Sequence, residues 1–338
     1  MPRISRREAI RREFDTYYNS CLLMGAVDEN GCISIDAFNV RKTGENIELF
    51  SVISDIYNYV SDGELIIPEY VDIIGENAFE RLKIDFIRIP KWIKRVKKCA
   101  FRNCINLRKV IIEGNIKEIA PETFSGCQSL QSIILPRDIQ RIREEALSGC
   151  ISLTEISSLN NLKEIASLAF YNCISLQHIS LPETMKKMGD KVFEKSGLRE
   201  FTFPKGIETV PFSILSACEY LERVTLPEGV TVIDKFAMSE CEKLKHINFP
   251  STLIYIEHFA FANCNSIETL TDMGHIKVIG ERAFFSCKNL KYINLPEGLV
   301  IVERYAFSAC TKLKEVKVPS TLKSICCEAF PHGVLLSY

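Results

Sequence analysis

The chain has 338 residues, 46% hydrophobic and 25% charged, with 42 basic against 43 acidic side chains. That balance excludes bulk electrostatic attraction to nucleic acid or to an anionic membrane. Its 14 cysteines are too dilute for a small disulfide scaffold and too many for a typical cytosolic enzyme, so their placement has to be explained.

Arg3, Arg6, Arg7, Arg11 and Arg12 precede a short apolar run from Cys21 to Val27. Glu8, Glu13 and Asp15 interrupt the basic part and no small-x-small site follows, so the segment does not read as a secretory leader. No run approaches the ~18 apolar residues of a membrane span. The expectation is a soluble, reduced, cytoplasmic protein, with the cell surface or a non-standard route of secretion as the alternative. Ile10, Phe14, Tyr17, Cys21 and Leu22 recur at helical spacing, as do Ile47, Phe50, Ile53 and Tyr57, with a turn-rich stretch containing Gly31 and Gly44 between. Residues 1–62 therefore read as a small helical or mixed N-terminal cap.

From residue 63 to residue 338 the chain is repetitive. One apolar column runs Phe79, Phe101, Phe124, Leu147, Phe170, Phe193, Leu215, Met238, Phe261, Phe284, Phe307, Phe330, at spacings of 22 or 23. Alanine precedes it in most repeats, and three positions after it stand Cys104, Cys127, Cys150, Cys173, Cys218, Cys241, Cys264, Cys287 and Cys310. The rest of the unit reads LxxIxLPxxLxxI, as in Leu221, Val224, Leu226, Pro227, Val230 and Ile233. Alternation around Val224 predicts a short strand ended by proline, and the AFxxC segment predicts one short helical turn. One unit cannot bury its own apolar face, so about twelve of them stack into an α/β solenoid with a parallel sheet. Val334, Leu335 and Leu336 are expected to supply a last short strand.

This consensus resembles the BspA-like (Treponema pallidum-type) leucine-rich repeat family over about residues 64–336. The resemblance implies a curved, right-handed solenoid with a protein-binding role, often in adhesion. The departures are local: Leu82, Ser196 and Gly333 replace the cysteine, and Glu113, Leu159 and Met273 stand where proline is expected. The repeats near Phe79 and Phe193 are one residue short, a deletion expected to dent the stack locally.

The cysteine file is expected to be buried free thiol. Successive Cβ atoms ~4.8 Å apart lie just beyond disulfide reach, and a straight file cannot converge on a metal. The five histidines include His178 and His246 at one strand position three repeats apart, too far to share a metal or a proton. No nucleophile elbow, zinc-protease helix, phosphate loop or dinucleotide fingerprint occurs, so the reading is non-enzymatic, with no cofactor and no metal.

Recognition is expected on the outer face of the strands. One outward file is Phe86, Lys109, Ser132, Glu155, His178, Glu200, Arg223, His246, Thr269, Tyr292 and Glu315. A second, two residues on, starts at Arg88, Ile111 and Ile134 and becomes a Ser/Thr/Asn ladder whose equivalent side chains are expected to hydrogen-bond across strands. The candidate binding residues are Phe86, Arg88, Lys109, Glu155, His178, Glu200, Arg223, His246, Tyr292 and Glu315. Their expected ligand is a protein or peptide, with the chain as a scaffold or recognition subunit; a BspA-type adhesin is the alternative. A third option, nucleic-acid association through the N-terminal arginines, competes with a solvated basic helix end.

Overall fold

A coil of 22 or 23 residues has no interior of its own, so its apolar side chains are buried by the coils before and after it. The computed structural model describes residues 5–23, 32–35, 37–52, 60–61, 63–157, 159–326 and 328–337. The chain divides into two compact units, Met1–Ser158 and Leu159–Tyr338, both β-solenoids built of short parallel strands.

Most coils contribute to two strand rows. In the first unit, the predicted row runs through Phe86–Ile89, Lys109–Ile112, Ser132–Ile134 and Glu155–Ile156, in the register Phe86, Lys109, Ser132, Glu155, and Glu64–Leu65 extends it by one strand before Phe86. In the second unit it includes Glu200–Thr202, Arg223–Thr225 and His246–Ile247, and it ends with Leu335–Ser337 paired to Glu315–Lys317, the expected last strand. The second row consists of two-residue strands at the last positions of the consensus. Six of them, from Thr209–Val210 to Ser324–Ile325, form one sheet in the second unit. Between the rows proline opens a turn, its carbonyl accepting the N–H three residues on, as Pro250 does from Leu253 at 3.0 Å.

The AFxxC segment is not helical. It closes as linked turns, and the residues two before and two after the column residue take a left-handed backbone, as Phe259 (φ 59°) and Asn263 (φ 62°) do. For a non-glycine residue that conformation costs roughly 1–2 kcal/mol. It turns successive N–H groups along the stack: Phe259, Phe261 and Asn263 donate to Glu281, Ala283 and Phe285 of the next coil at 3.0, 2.7 and 2.8 Å. The column rings stack on the same axis, Phe261 on Phe284 at 5.0 Å and Phe284 on Phe307 at 5.2 Å between centroids.

Near the N-terminus, α1 spans Arg6–Leu23 and buries Phe14, Tyr18 and Cys21 while Tyr17 stays 50% exposed. The helical reading of Ile47 and Phe50 is corrected. They lie in β2 (Asn46–Val52), which pairs antiparallel with β1 (Phe38–Thr43) across a tight turn at Gly44 (φ 61°). Phe38, Val40, Ile47 and Leu49 are fully buried, an inward face that strand alternation around the turn produces better than a helix would. Ile53 and Tyr57 lie outside the described residues. β2 then pairs parallel with Ile73–Ile74, so the N-terminal hairpin continues the second row.

Asp72 fastens α1 to this hairpin. Its side chain is fully buried, accepts the Ile47 N–H at 2.9 Å, and pairs with Arg7 at 3.0 Å, Arg11 at 2.5 Å and Lys94 at 3.4 Å. Burial alone would raise its pKa. The Ile47 bond together with Arg7, Arg11 and Lys94 outweighs burial and holds the carboxyl below its ordinary 3.8. Arg7 and Arg11 are therefore not part of a solvated helix end, whereas Arg6 and Arg12 are exposed and Arg3 lies outside the described residues.

Asp72→Ala leaves Arg7 and Arg11 without their counter-charge and should destabilise the chain by about 3–5 kcal/mol, read as a lower denaturant midpoint. Because the folded pKa is depressed, the wild-type contribution is complete above the unfolded value and lost as pH falls through the folded one. The difference between variant and wild type should therefore shrink in strong acid; a difference that grows there contradicts this account.

Candidate functional site

The cysteine file is the first place to look for chemistry. Cys104, Cys127, Cys150, Cys218, Cys241, Cys264, Cys287 and Cys310 are free and buried. Each points its sulfur at the backbone carbonyl of the column residue one coil earlier, for example Cys264 Sγ to Met238 O at 3.1 Å and Cys287 Sγ to Phe261 O at 3.2 Å. The thiol is thus a small apolar filler and also an S–H donor that ties one coil to the preceding one, a role the sequence did not reveal. Burial pushes the Cys218 and Cys264 thiols up to about 12 and those of Cys241 and Cys287 well above the ordinary 9.0. Ser196, which replaces the cysteine in its coil, lies 3.3 Å from the Cys218 sulfur. Among the described residues no group of three His, Cys, Asp or Glu gathers to hold a metal.

On the first unit, Phe86, Lys109, Ser132 and Glu155 form one outward row. Lys109 and Glu155 are exposed, and Phe86 is half-buried under the Arg88 guanidinium, 5.4 Å from its ring centroid. Arg88 is held by its neighbours, at 3.2 Å from Glu64 and 2.7 Å from Glu113, which keep its pKa raised. Glu113, the residue standing where proline was expected, is therefore the partner of a candidate binding residue. Beside them Ile134 is 43% exposed and Ile111 half-buried.

On the second unit, Glu200, Arg223 and His246 are register neighbours on a three-stranded platform. All three are exposed, and among the described residues none has an ion-pair partner. Tyr292, 54% exposed, lies beside Thr269 in a separate strand pair, and Glu315 pairs with Leu335. His178 is exposed but outside any strand, because the coil at 176–181 forms none. The Ser/Thr/Asn ladder also differs from expectation: its members bond to neighbouring backbone. Asn248 accepts the Leu226 N–H and donates to the Leu226 carbonyl, both at 2.8 Å, and Ser157 accepts the Leu135 N–H at 2.8 Å. Amide and hydroxyl groups reach a strand's unpaired peptide groups more readily than one another.

The platform is flanked by two grooves. One, about 580 Å3, is lined by His178, Ser180, Glu200, Thr202, Phe203 and Lys205, among others. The other, about 440 Å3, is lined by Arg223, Lys245, His246, Asn248, Phe249 and Asp272, among others. Phe203 and Phe249 are groove residues the sequence reading missed; their signal was a bulky ring at the Leu position of the LP step.

The geometry defines a leucine-rich repeat protein with a presented strand row. Residues 51–165, 141–268 and 209–335 match the family described as "BspA type Leucine rich repeat region", and the chain belongs to that family. It is also similar to the crystal structure of a leucine-rich cell-surface protein of Faecalibacterium prausnitzii, with a TM-score of 0.62 at 20% identity, covering 92% of this chain and 95% of that one. Similarity to the pneumococcal vaccine antigen PcpA is 18% in identity with a TM-score of 0.54, covering 88% of each chain. No curated protein matches the chain. No helix among the described residues is long and apolar enough to cross a membrane.

Iodoacetamide at pH 8.5 should leave the cysteine file of the native chain unlabelled and modify it fully in denaturant, as read by intact mass. Above the ordinary thiol value of 9.0 the unfolded chain loses protons that the folded chain keeps, so stability should fall as pH rises past that point. Rapid native labelling at Cys264 or Cys287 would show that the file opens.

Proposed function

We propose that this is a non-enzymatic recognition protein that binds a protein or peptide partner through its first strand row, as a scaffold or as the recognition subunit of a larger assembly. Residues 1–62 serve as its cap and residues 63–338 as the recognition solenoid. The observation that carries the reading is the platform: Glu200, Arg223 and His246 point outward from a backbone fixed by the coils on either side, and they are unpaired among the described residues. Side chains left unpaired on a rigid sheet are available to a ligand at small entropic cost. Nucleic-acid binding through the N-terminus is the weaker reading, since Arg7 and Arg11 are already engaged by Asp72.

For the place of action, a cell surface is favoured over the cytoplasm, in the manner of an adhesin. The support is the printed description of the Faecalibacterium prausnitzii protein as a cell-surface protein. Free thiols are no obstacle, because a buried thiol with a raised pKa presents little thiolate to an oxidant.

Arg223→Glu combined with Tyr292→Ala should abolish cross-linking to the proteins that the wild-type chain captures from its native cells, with the thermal midpoint within about 2 °C of wild type. Undiminished capture by the double variant overturns the choice of face. Membrane-impermeant biotin applied to intact native cells should label the chain; a chain labelled only after lysis overturns the surface assignment.

A further inference from the structure

In the second unit the second strand row forms one sheet of six two-residue strands, from Thr209–Val210 to Ser324–Ile325. The second residue of each strand faces the core, and Val210, Ile233, Ile256, Ile279 and Val302 are buried. The outward file, in register, is Thr209, Val232, Tyr255, Val278, Ile301 and Ser324. Tyr255 is 42% exposed, and Val232, Val278 and Ile301 are half-buried. Ile254 and Val300, one residue earlier in their coils, are half-buried as well, so the four middle coils carry a contiguous apolar strip. In the first unit the same positions hold Ile73, Arg95, Glu118 and Arg141, and Arg141 pairs with Glu118 at 2.9 Å. Single exposed apolar residues are ordinary, but a contiguous patch rimmed by charge marks a contact surface.

The two edges of the strip differ in charge. The edge where each coil enters its strand carries Lys277 and Lys323, both exposed and without an ion-pair partner among the described residues. The acid Glu208 at that edge lies in the first coil, beyond the apolar strip. The edge where each coil leaves its strand carries Asp234, Glu257 and Glu303, with Gly280 in the coil between the two glutamates. Among the described residues no Lys or Arg pairs with these glutamates; the His258 imidazole reaches them, 4.0 Å from Glu257 and 3.5 Å from Glu303, and Glu303 also accepts the Glu281 N–H at 2.9 Å. Gly280 has no room for a side chain, since a Cβ there would lie 2.9 Å from the Ile256 carbonyl oxygen, so the acidic edge is notched at that coil. A twofold axis parallel to the stack lays one strip on another, keeps every coil at its own height and exchanges the two edges. Lys277 of each copy then meets Gly280 of the other, between Glu257 and Glu303, which lie one coil, about 4.8 Å, to either side. From this complementarity we infer that the chain self-associates through its second row, with the strips face to face and each Lys277 held by the two glutamates of the other copy. Six strands span about 24 Å, short for a stable dimer, so the association is weak. None of these residues belongs to the first row, so a dimer presents that row twice.

Self-association does not depend on recognition by the first row, and it is tested on the full chain alone. Sedimentation velocity of the wild type from about 5 to 200 µM should show a monomer converting reversibly to a dimer, as a weak interface requires. Lys277→Glu sets like charges against each other at both symmetry-related contacts. Glu257→Lys combined with Glu303→Gln does the same with cations, and the glutamine keeps an acceptor for the Glu281 N–H. Each variant alone should stay monomeric at the highest concentration, whereas their equimolar mixture has opposite charges at both contacts and should form the dimer again. Tyr255→Ala, within the strip, should weaken the wild-type dimer about fivefold. These side chains are exposed or half-buried, so every variant should keep its thermal midpoint within about 3 °C of wild type. A wild-type chain that stays monomeric throughout overturns the inference, as does a dimer that persists in both charge variants or a mixture that stays monomeric. A dimer unchanged by Tyr255→Ala overturns the face-to-face packing of the strips.

Discussion

Everything in this structure depends on the hydrogen bonds that leave one coil and end in the next. A coil of this repeat has its strands two to four residues long and its turn strained into left-handed conformations, so it is unstable alone. Stacked, the turn becomes the most regular element of the fold. Its N–H groups meet carbonyls at 2.7–3.0 Å in the coil of Phe261, the column rings lie against one another, and the cysteine sulfur closes a bond back to the preceding coil. The consensus residues are those that tolerate or need this arrangement: alanine where backbones approach, asparagine or glycine at several left-handed positions, and cysteine where a small donor must sit in an apolar wall.

The period, the cysteine file and the strand register were legible because identical residues recur at fixed spacing, and repetition averages out local ambiguity. The outward file from Phe86 to Glu155 and the register from Glu200 to His246 follow from alternation alone. The second strand row was not legible, since two residues such as Val232 and Ile233 carry no periodic signal. The hairpin at Phe38–Val52 was misread because Ile47 and Phe50, three apart, fit a helix as well as a strand. Asp72 could not be found at all: its partners Arg7 and Arg11 are more than sixty residues away in sequence, and nothing local distinguishes it from a surface carboxylate. Of the candidate site, the residues were visible and their grouping was not. Glu200, Arg223 and His246 share a platform, whereas His178 and Tyr292 lie outside that three-stranded sheet, and nothing in the repeat pattern marks where it ends.

The charged residues of the fold divide into those that hold it and those left free. Asp72, Glu48 and Arg88 are surrounded by partners from other segments: Glu48 by Arg41 at 3.3 Å and Lys97 at 2.8 Å, Arg88 by two glutamates. Their removal would be felt as lost stability. Glu200, Arg223 and His246 contribute nothing of that kind, which leaves them open to change without disturbing the scaffold. A repeat protein gains from this separation, because its binding properties can vary while its coils remain interchangeable.

The turn ladder of the second unit has one more property. From Leu168 through Phe307 alternate N–H groups of the turns, such as those of Phe259, Phe261 and Asn263, point toward the following coil, and the carbonyls they meet point back. The two strand rows alternate their bond directions and cancel, but the turns add, giving an axial dipole whose sense is opposite to that of an α-helix: its positive end is at the later coils. Glu328, an anion held by Arg304 at 3.1 Å, stands at that end. Acidic residues placed at that end are stabilised by the dipole and basic ones are disfavoured, so the polarity of the backbone weights which residues suit a position beside the last turn.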